Sequence, residues 1–249
     1  MSELTAVLLD LDGTLVDTAE LWRSAYTRLA DELDVTLTAD FWSQVAGRSM
    51  ADSLDVFGPQ RRSPDQLITR LGQLASADLT ANGGPAAVDR PVEPQPRGPR
   101  WLPGARELLA TLREGRGGPD SPPLATALVT SSWRPFTEAL LAAPDDAMRL
   151  DHAFDAIVCG EDIADGKPAP EGYLRAAMLL GAAPADCLVI EDSPTGVAAA
   201  EAAGMVVLAV PRAGRVDPAP GRAVRRDLTG LTAADLMVLH ARLRSGASA

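Results

Sequence analysis

The sequence predicts an α/β protein built on a parallel β-sheet with helices on both faces. Five short apolar segments bounded by turn residues are typical of buried strands: Thr5–Leu9, Ala125–Thr130, Ala156–Cys159, Cys187–Ile190 and Val206–Val210. Helical periodicity follows between the later strands, at Pro103–Arg113, Pro135–Ala142, Glu171–Leu180 and Thr195–Ala203. Apolar strands that alternate with helices indicate a parallel sheet covered on both faces. Ligands of such folds bind beyond the carboxyl ends of the strands.

A long insertion separates the first predicted strand from the second. Its periodicity predicts helices at Leu21–Leu33, Ala39–Val45 and Pro64–Leu79. The insertion is too long for an ordinary crossover, so we expect a helical domain at residues 18–82. Residues 83–100 are rich in proline and glycine, which favours a linker or a surface loop. The α/β core then comprises residues 1–17 and 101–249.

Composition and charge restrict the classes of partner. The chain of 249 residues has a formal net charge of −11 at pH 7, whereas nucleic acids select basic surfaces. The sequence has neither a membrane-spanning segment nor the pattern of a secretion signal. We therefore expect a cytoplasmic protein without nucleic-acid or membrane partners, and a monomer or weak dimer. Cys159 and Cys187 lie in apolar runs, which predicts two buried reduced thiols.

The most informative motif lies at the end of the first strand. Asp10 and Asp12 follow the apolar run Ala6–Leu9, and their side chains share a face as long as the strand continues. Gly13 and Thr14 then end the strand. Two convergent carboxylates at the mouth of a buried strand suit a Mg²⁺ ion, or a nucleophile beside an acid/base.

Polar residues also follow three later strands. One strand ends in a run of three hydroxyl residues that includes Thr130 and Ser131, just before a helix begins. Such hydroxyls bind phosphate oxygens at a helix N-terminus, or serve only as helix caps. Lys167, the single lysine of the sequence, can direct its own positive charge at an anion. Glu191 and Asp192 form a second carboxylate pair at the last of these strand ends.

The order of these motifs resembles the four motifs of the haloacid dehalogenase-like (HAD) hydrolase superfamily. The matching segments are Asp10-Leu-Asp12-Gly-Thr, Thr130-Ser131, Lys167-Pro and Glu191-Asp192-Ser-x-x-Gly196, within about residues 5–210. The resemblance implies a Rossmann-like core with an inserted helical cap of the C1 type. It also implies an enzyme that transfers a phosphoryl group from a small-molecule phosphate ester.

The resemblance implies a role for each catalytic residue. Asp10 attacks phosphorus and forms an aspartyl-phosphate, while Asp12 protonates the leaving oxygen and then activates water. Thr130, Ser131 and Lys167 hold the phosphoryl group.

The resemblance also implies a Mg²⁺ cofactor. Its ligands are the Asp10 side chain, the Asp12 backbone carbonyl and Asp192, with Glu191 close by. The chemistry agrees, because a dianionic phosphate beside several carboxylates needs cations to offset their repulsion.

Differences between this chain and other groups of the superfamily restrict the reactions that we expect it to catalyse. Dehalogenases lack the second carboxylate, which this chain has as Asp12, and the phosphonate-cleaving group uses a lysine that this insertion lacks. The cap segment Ala46–Leu54 is similar to that of β-phosphoglucomutase and related phosphatases. In the mutase an arginine follows the serine of this segment and grips the distal phosphate, but this chain has Met50 there and Arg48 before Ser49.

These observations favour a phosphatase that acts on a small metabolite such as a sugar phosphate or phosphoglycolate. A sugar phosphomutase remains the alternative, and a catalytically silent module that binds phosphorylated ligands is the third hypothesis. Arg48, Ser49 and Met50 are the candidates for substrate contact in the cap. Weaker candidates are Trp22, Arg23, Trp133 and Arg134.

Overall fold

A six-stranded parallel sheet lies at the centre of the protein. The computed structural model describes residues 3–38, 40–45, 53–57, 62–81, 99–114, 124–142, 153–212 and 214–245. The strands of this sheet are β1 (Ala6–Leu9), β4 (Ala125–Val129), β5 (Ala156–Val158), β6 (Cys187–Glu191), β7 (Val206–Ala209) and β8 (Arg222–Val224). Their order in the sheet is β5-β4-β1-β6-β7-β8. The predicted parallel sheet is thereby confirmed.

Strand β1 has a central place because it is apolar on both faces. It pairs with β4 on one side and with β6 on the other, so that Leu9 lies between Leu128 and Ile190. All four residues of β1 are buried. Chain segments that follow β1, β4 and β6 therefore leave the sheet side by side at its carboxyl edge.

Helices cover both faces of the sheet. Val7 and Leu9 of β1 belong to one apolar cluster, while Ala6 and Leu8 belong to another, as the alternation of strand side chains requires. The first cluster includes residues of α4 (Ala105–Glu114), α5 (Arg134–Ala142) and α8 (Ala233–Arg244). The second includes residues of α6 (Glu171–Leu179) and α7 (Pro194–Ala202).

The insertion includes the helices α1 (Ala19–Leu33), α2 (Phe41–Val45) and α3 (Pro64–Ala81). Helix α1 packs on α3, and α3 also packs on α5 of the core. A cluster of aromatic rings lies between these segments and comprises Tyr26, Phe41, Trp42 and Phe57. The assignment of residues 18–82 to a separate domain remains a prediction.

Two short strands connect the insertion to the core. Strands β2 (Val16–Asp17) and β3 (Arg100–Trp101) pair antiparallel, with Val16 opposite Trp101. The sequence did not predict this pair, because two residues are too few for a strand pattern. Residues 83–98 of the predicted linker lie outside the described residues, whereas Arg100 at its end already belongs to β3.

The sequence also missed β8, whose three residues include only one that is buried. Cys159 and Cys187 are free and buried, as predicted. None of the described helices combines the length and the apolar character that crossing a membrane requires.

Candidate active site

The loop after β1 brings Asp10, Asp12 and Asp192 together. Asp10 still continues the sheet, since its backbone N–H donates to the Ile190 carbonyl at 3.1 Å. Gly13 then adopts a φ of 90°, and a Cβ atom at this position would lie 2.2 Å from Asp192 Oδ2. Only glycine combines this left-handed turn with so close a carboxylate. The glycine of the first motif thus allows the fourth motif to approach the first.

Lys167 forms a buried ion-pair network with two carboxylates. Its Nζ lies 2.7 Å from Asp10 Oδ1 and 2.7 Å from Glu191 Oε1, and it donates to the Val129 carbonyl at 3.2 Å. The Lys167 and Asp10 side chains are 10% and 9% exposed, and that of Glu191 is fully buried. The network therefore joins three of the four motifs by charge.

Burial shapes the acid–base properties of this network. It raises the pKa of Asp10 to about 7, although Lys167 acts in the opposite direction. Burial, and then repulsion from Asp10, raises the pKa of Asp192 to about 8. Burial opposes ionisation of Glu191 as well, but Lys167 and hydrogen bonds hold the pKa of that carboxyl below its ordinary value. Asp10, which is buried, and Asp192, which is half-buried, are thus two acids that destabilise each other's charge.

Glu191 has its oxygen atoms occupied by hydrogen bonds. Its Oε1 accepts from Lys167 and from the Tyr173 hydroxyl at 2.9 Å. Its Oε2 accepts from the backbone N–H groups of Asp192 and Ser193, both at 2.9 Å, and from the Ser193 hydroxyl at 3.0 Å. These contacts favour a positioning role for Glu191, which holds Lys167 and the loop after β6 in place.

The carboxylates fit a divalent cation. One oxygen of each of Asp10, Glu191 and Asp192 lies within 4.8 Å of the others. Asp10 Oδ2 is buried and has no hydrogen-bond partner among the described residues. A hard cation such as Mg²⁺ prefers oxygen ligands of this kind, and its charge relieves the repulsion between Asp10 and Asp192.

The Asp12 carboxylate is surrounded by hydrogen-bond donors instead. Its Oδ1 accepts from the Thr18 hydroxyl at 2.5 Å and from the Trp22 indole Nε1 at 2.9 Å. Its Oδ2 accepts from the Thr130 hydroxyl at 3.1 Å and from the Ser132 hydroxyl at 2.6 Å. Asp10 and Asp12 are thus held by different groups, a cation for one and neutral donors for the other.

The structure brings together the predicted residues Asp10, Asp12, Thr130, Lys167, Glu191 and Asp192. In the hydroxyl run, the Ser132 side chain bonds to Asp12. The phosphate contact predicted for Ser131 stays a prediction. The predicted cap residues Arg48, Ser49 and Met50 lie outside the described residues.

The weaker candidates for substrate contact have other partners. Arg23 lies over the Trp42 ring at 4.7 Å, and Arg134 pairs with Asp162. Trp133 packs against Gly72 of α3, where a Cβ atom would lie 2.2 Å from the ring.

Sequence reasoning missed Thr18, Ser132 and Tyr173 as residues of the site, and considered Trp22 only for the substrate or the cap core. Ser132 had a signal, because it belongs to the hydroxyl run after β4. The others have no local signal, because a single threonine or aromatic residue on a helix is usually part of the packing.

Comparison with known proteins assigns this chain to a family. The family model for haloacid dehalogenase-like hydrolases matches residues 4–204. The chain belongs to the haloacid dehalogenase-like hydrolases. The resemblance that the motifs indicated is thereby confirmed, and so is the prediction that the chain is an enzyme, a hydrolase of this family.

Curated relatives of this HAD-like hydrolase include enzymes with different reactions. The validoxylamine A 7'-phosphate phosphatase of Streptomyces hygroscopicus subsp. limoneus is 30% identical over 203 residues, which cover 80% of this chain and 81% of the relative. The β-phosphoglucomutase of Bacillus subtilis is 30% identical over 213 residues, which cover 83% of each chain. Sequence identity therefore does not distinguish the two reactions.

A solved structure confirms the fold. The crystal structure of CbbY from Rhodobacter sphaeroides in complex with phosphate has a TM-score of 0.75 and 23% sequence identity to this HAD-like hydrolase. The alignment covers 94% of this chain and 99% of the other. The Rossmann-like core predicted from the motifs is thus the observed fold.

Proposed function

We propose that this HAD-like hydrolase is a Mg²⁺-dependent phosphate monoester hydrolase that forms an aspartyl-phosphate. Its substrate is a small phosphorylated metabolite of the sugar phosphate or phosphoglycolate type. The observation that carries the proposal is the arrangement of Asp10, which contacts Lys167, beside Asp12, which contacts neutral donors.

The Asp10 carboxylate is the nucleophile. The Lys167 ammonium holds one Asp10 oxygen at 2.7 Å, and the other oxygen is free of hydrogen bonds from the described residues. Lys167 also supplies a positive charge where the phosphoryl oxygens of a substrate would accumulate negative charge. Thr130 and Ser131 lie in the loop after β4 and provide hydroxyl and backbone donors for those oxygens.

The Asp12 carboxylate is the acid/base. It lies outside the Lys167 network, and the Thr18 and Ser132 hydroxyls and the Trp22 indole hold its two oxygens. Asp12 delivers a proton to the leaving oxygen of the ester and then takes a proton from the water that attacks the aspartyl-phosphate. Such proton transfers require that the carboxyl group lies within hydrogen-bond distance of the reacting oxygen.

The side chains of Asp10 and Asp192 and the backbone carbonyl of Asp12 would hold the Mg²⁺ ion, with Glu191 nearby. When bound, the ion offsets the repulsion between the carboxylates and the phosphate dianion.

The cap determines the substrate in this proposal. Residues 18–82 form the C1 cap, and Arg48, Ser49 and Met50 contact the part of the substrate that is not transferred. A relative named as a phosphatase of a phosphorylated metabolite supports this class of substrate. We further propose that the protein acts in the cytoplasm as a monomer or weak dimer, on a small-molecule phosphate ester.

A sugar phosphomutase is the second candidate, because one relative of equal identity is a β-phosphoglucomutase. Met50 argues against it, since the mutase has an arginine at this position of the cap segment. Phosphorus NMR of a sugar phosphate with a bisphosphate activator separates the two: hydrolysis releases inorganic phosphate, whereas a mutase yields an isomeric sugar phosphate.

The test of the proposal is a screen of phosphorylated metabolites with Mg²⁺, in which phosphate release gives kcat/KM. We expect Asp10→Asn to lower kcat/KM by at least about 1,000-fold, because the amide is not a nucleophile. Circular dichroism and thermal unfolding check that the variant is folded. Turnover retained by Asp10→Asn would contradict the aspartyl-phosphate mechanism. Activity on no phosphate ester would favour the non-catalytic phospho-ligand module.

A further inference from the structure

Each oxygen of the Asp12 carboxylate accepts a hydrogen bond from a group that has no role in the proposed chemistry. Trp22 Nε1 donates to Oδ1 at 2.9 Å, and Ser132 Oγ donates to Oδ2 at 2.6 Å. Thr130 also donates to Oδ2, but its hydroxyl is assigned to the phosphoryl group. The donors whose function is unexplained are therefore Trp22 at Oδ1 and Ser132 at Oδ2. Thr18 is a further donor to Oδ1.

Packing determines the position of the Trp22 indole. The residue lies on α1 of the insertion, and its ring centroid is 4.7 Å from that of Phe136 on α5 of the core. The planes of the two rings are inclined by 54°, and Phe136 is completely buried. The indole thus rests on a rigid core side chain while its N–H points at Asp12.

The backbone of Ser132 is held just as firmly. Its N–H donates to the Thr130 hydroxyl at 3.0 Å, and its carbonyl accepts from the Gly160 N–H at 3.2 Å. Its side chain is almost fully buried, with the residue only 6% exposed. The loop after β4 therefore presents the Ser132 hydroxyl to Asp12 in one orientation.

We propose that Trp22 and Ser132 are positioning residues that orient the Asp12 carboxylate toward the leaving oxygen. Trp22 acts from the insertion and Ser132 acts from the core, one on each carboxylate oxygen. This inference rests on the proposed function, in which Asp12 protonates the leaving group. Because proton transfer depends on distance and direction, a carboxylate that rotates freely loses part of its effect.

The leaving group provides a readout that a structural role would not change. An ester with a weakly basic leaving group departs with little help from an acid, whereas a strongly basic one needs the proton. The ratio kcat/KM for aryl phosphates reports the steps up to departure of the phenol. Loss of Asp12 orientation should therefore slow phenyl phosphate much more than p-nitrophenyl phosphate.

The experiment compares Trp22→Phe and Ser132→Ala with the wild-type protein on a series of aryl phosphates in Mg²⁺. Phenylalanine keeps the ring on Phe136 and removes only the N–H. We expect kcat/KM to fall at least about 10-fold for phenyl phosphate and less than about 3-fold for p-nitrophenyl phosphate. Trp42→Phe in the aromatic cluster and Ser245→Ala at the exposed end of α8 are matched controls. For these variants we expect no difference between the effects on phenyl phosphate and on p-nitrophenyl phosphate.

A double-mutant cycle tests the route through Asp12. In the Asp12→Asn background, Trp22→Phe and Ser132→Ala should have almost no further effect, because no proton remains to be positioned. An equal loss on all aryl phosphates, or full additivity with Asp12→Asn, would overturn the inference. The wild-type protein and Asp10→Asn are measured beside them: if both are inactive, or equally active, the proposed function itself fails.

Discussion

At the scale of single residues, Lys167 links the motifs of the site. Its ammonium group contacts the carboxylates of Asp10 and Glu191, and Tyr173 donates to the same Glu191 oxygen. These contacts neutralise two buried charges that would otherwise be costly. Burial raises the pKa of Asp10 and of Asp192, whereas Lys167 together with hydrogen bonds from Ser193 and Tyr173, which Asp10 lacks, holds the pKa of Glu191 below its ordinary value.

The close contact of Gly13 with Asp192 gives a prediction at this scale. In Gly13→Ala, the added Cβ atom would lie 2.2 Å from Asp192 Oδ2 and therefore displaces that carboxylate. We expect kcat/KM for p-nitrophenyl phosphate to fall by about 100-fold, because a shift of about 1 Å in a site has an effect of this size. Activity measured against Mg²⁺ concentration should show weaker activation by the metal.

Gly230→Ala is the matched control for Gly13→Ala. Gly230 also has a positive φ of 72°, but a Cβ atom there meets nothing within 4 Å. It should cost about 1 kcal/mol of stability from backbone strain and leave kcat/KM unchanged. Equal losses of activity in the two variants would show that strain, and not the Asp192 contact, explains the effect.

At the scale of secondary-structure elements, the strands were predictable and the small connections were not. Strands β1 and β7 consist of apolar residues, and β4 and β6 depart from this pattern only at Thr126 and Glu191. Strands β2, β3 and β8 depend on pairing partners distant in sequence. Their few residues carry no periodicity of their own.

Helix α8 carries a titratable residue, His240, that lies outside the candidate active site. His240 is fully buried, and its Nε2 donates to the Ala185 carbonyl at 3.1 Å. Its Nδ1 has no partner among the described residues. Burial lowers the pKa of His240, so the folded protein binds a proton less readily than the unfolded chain.

This burial predicts a loss of stability in mild acid. Because the folded pKa of His240 is below its ordinary value of 6.5, its contribution to stability is lost as the pH falls below about 6.5. His240→Gln removes this titration. Urea unfolding at pH 7.5 and pH 5.5 should show that the wild-type protein loses more stability than the variant. The same loss in both proteins would contradict the prediction.

At the scale of the whole molecule, two aromatic contacts hold the insertion against the core. Trp22 of α1 lies on Phe136, and Trp133 of the loop after β4 lies against Gly72 of α3. The absence of a side chain at Gly72 makes room for the indole. Both contacts involve residues next to Asp12 or its hydroxyl donors, so the position of the insertion and the geometry of the site are connected.

Gly72→Ala tests this connection. A Cβ atom at this position would lie 2.2 Å from the Trp133 ring, so the indole or helix α3 must move. We expect kcat/KM to fall by about 10-fold, since the displaced loop also carries Ser132. Gln73→Ala, on the exposed face of the same helix, is the control and should keep both kcat/KM and the melting temperature. No change in Gly72→Ala would show that the insertion and the site are independent.

The sequence by itself determined the fold class and the positions of Asp10, Asp12, Thr130, Glu191 and Asp192 at or just after the ends of strands, with Lys167 in the loop before α6. Apolar periodicity and motif order are local properties, so they can be read along the chain. Only the tertiary structure decided that Glu191 is engaged by Tyr173 and that Trp22 and Ser132 hold Asp12. Ser132 and Asp12 are 120 residues apart in the chain, and such a contact exists only because parallel strands end side by side.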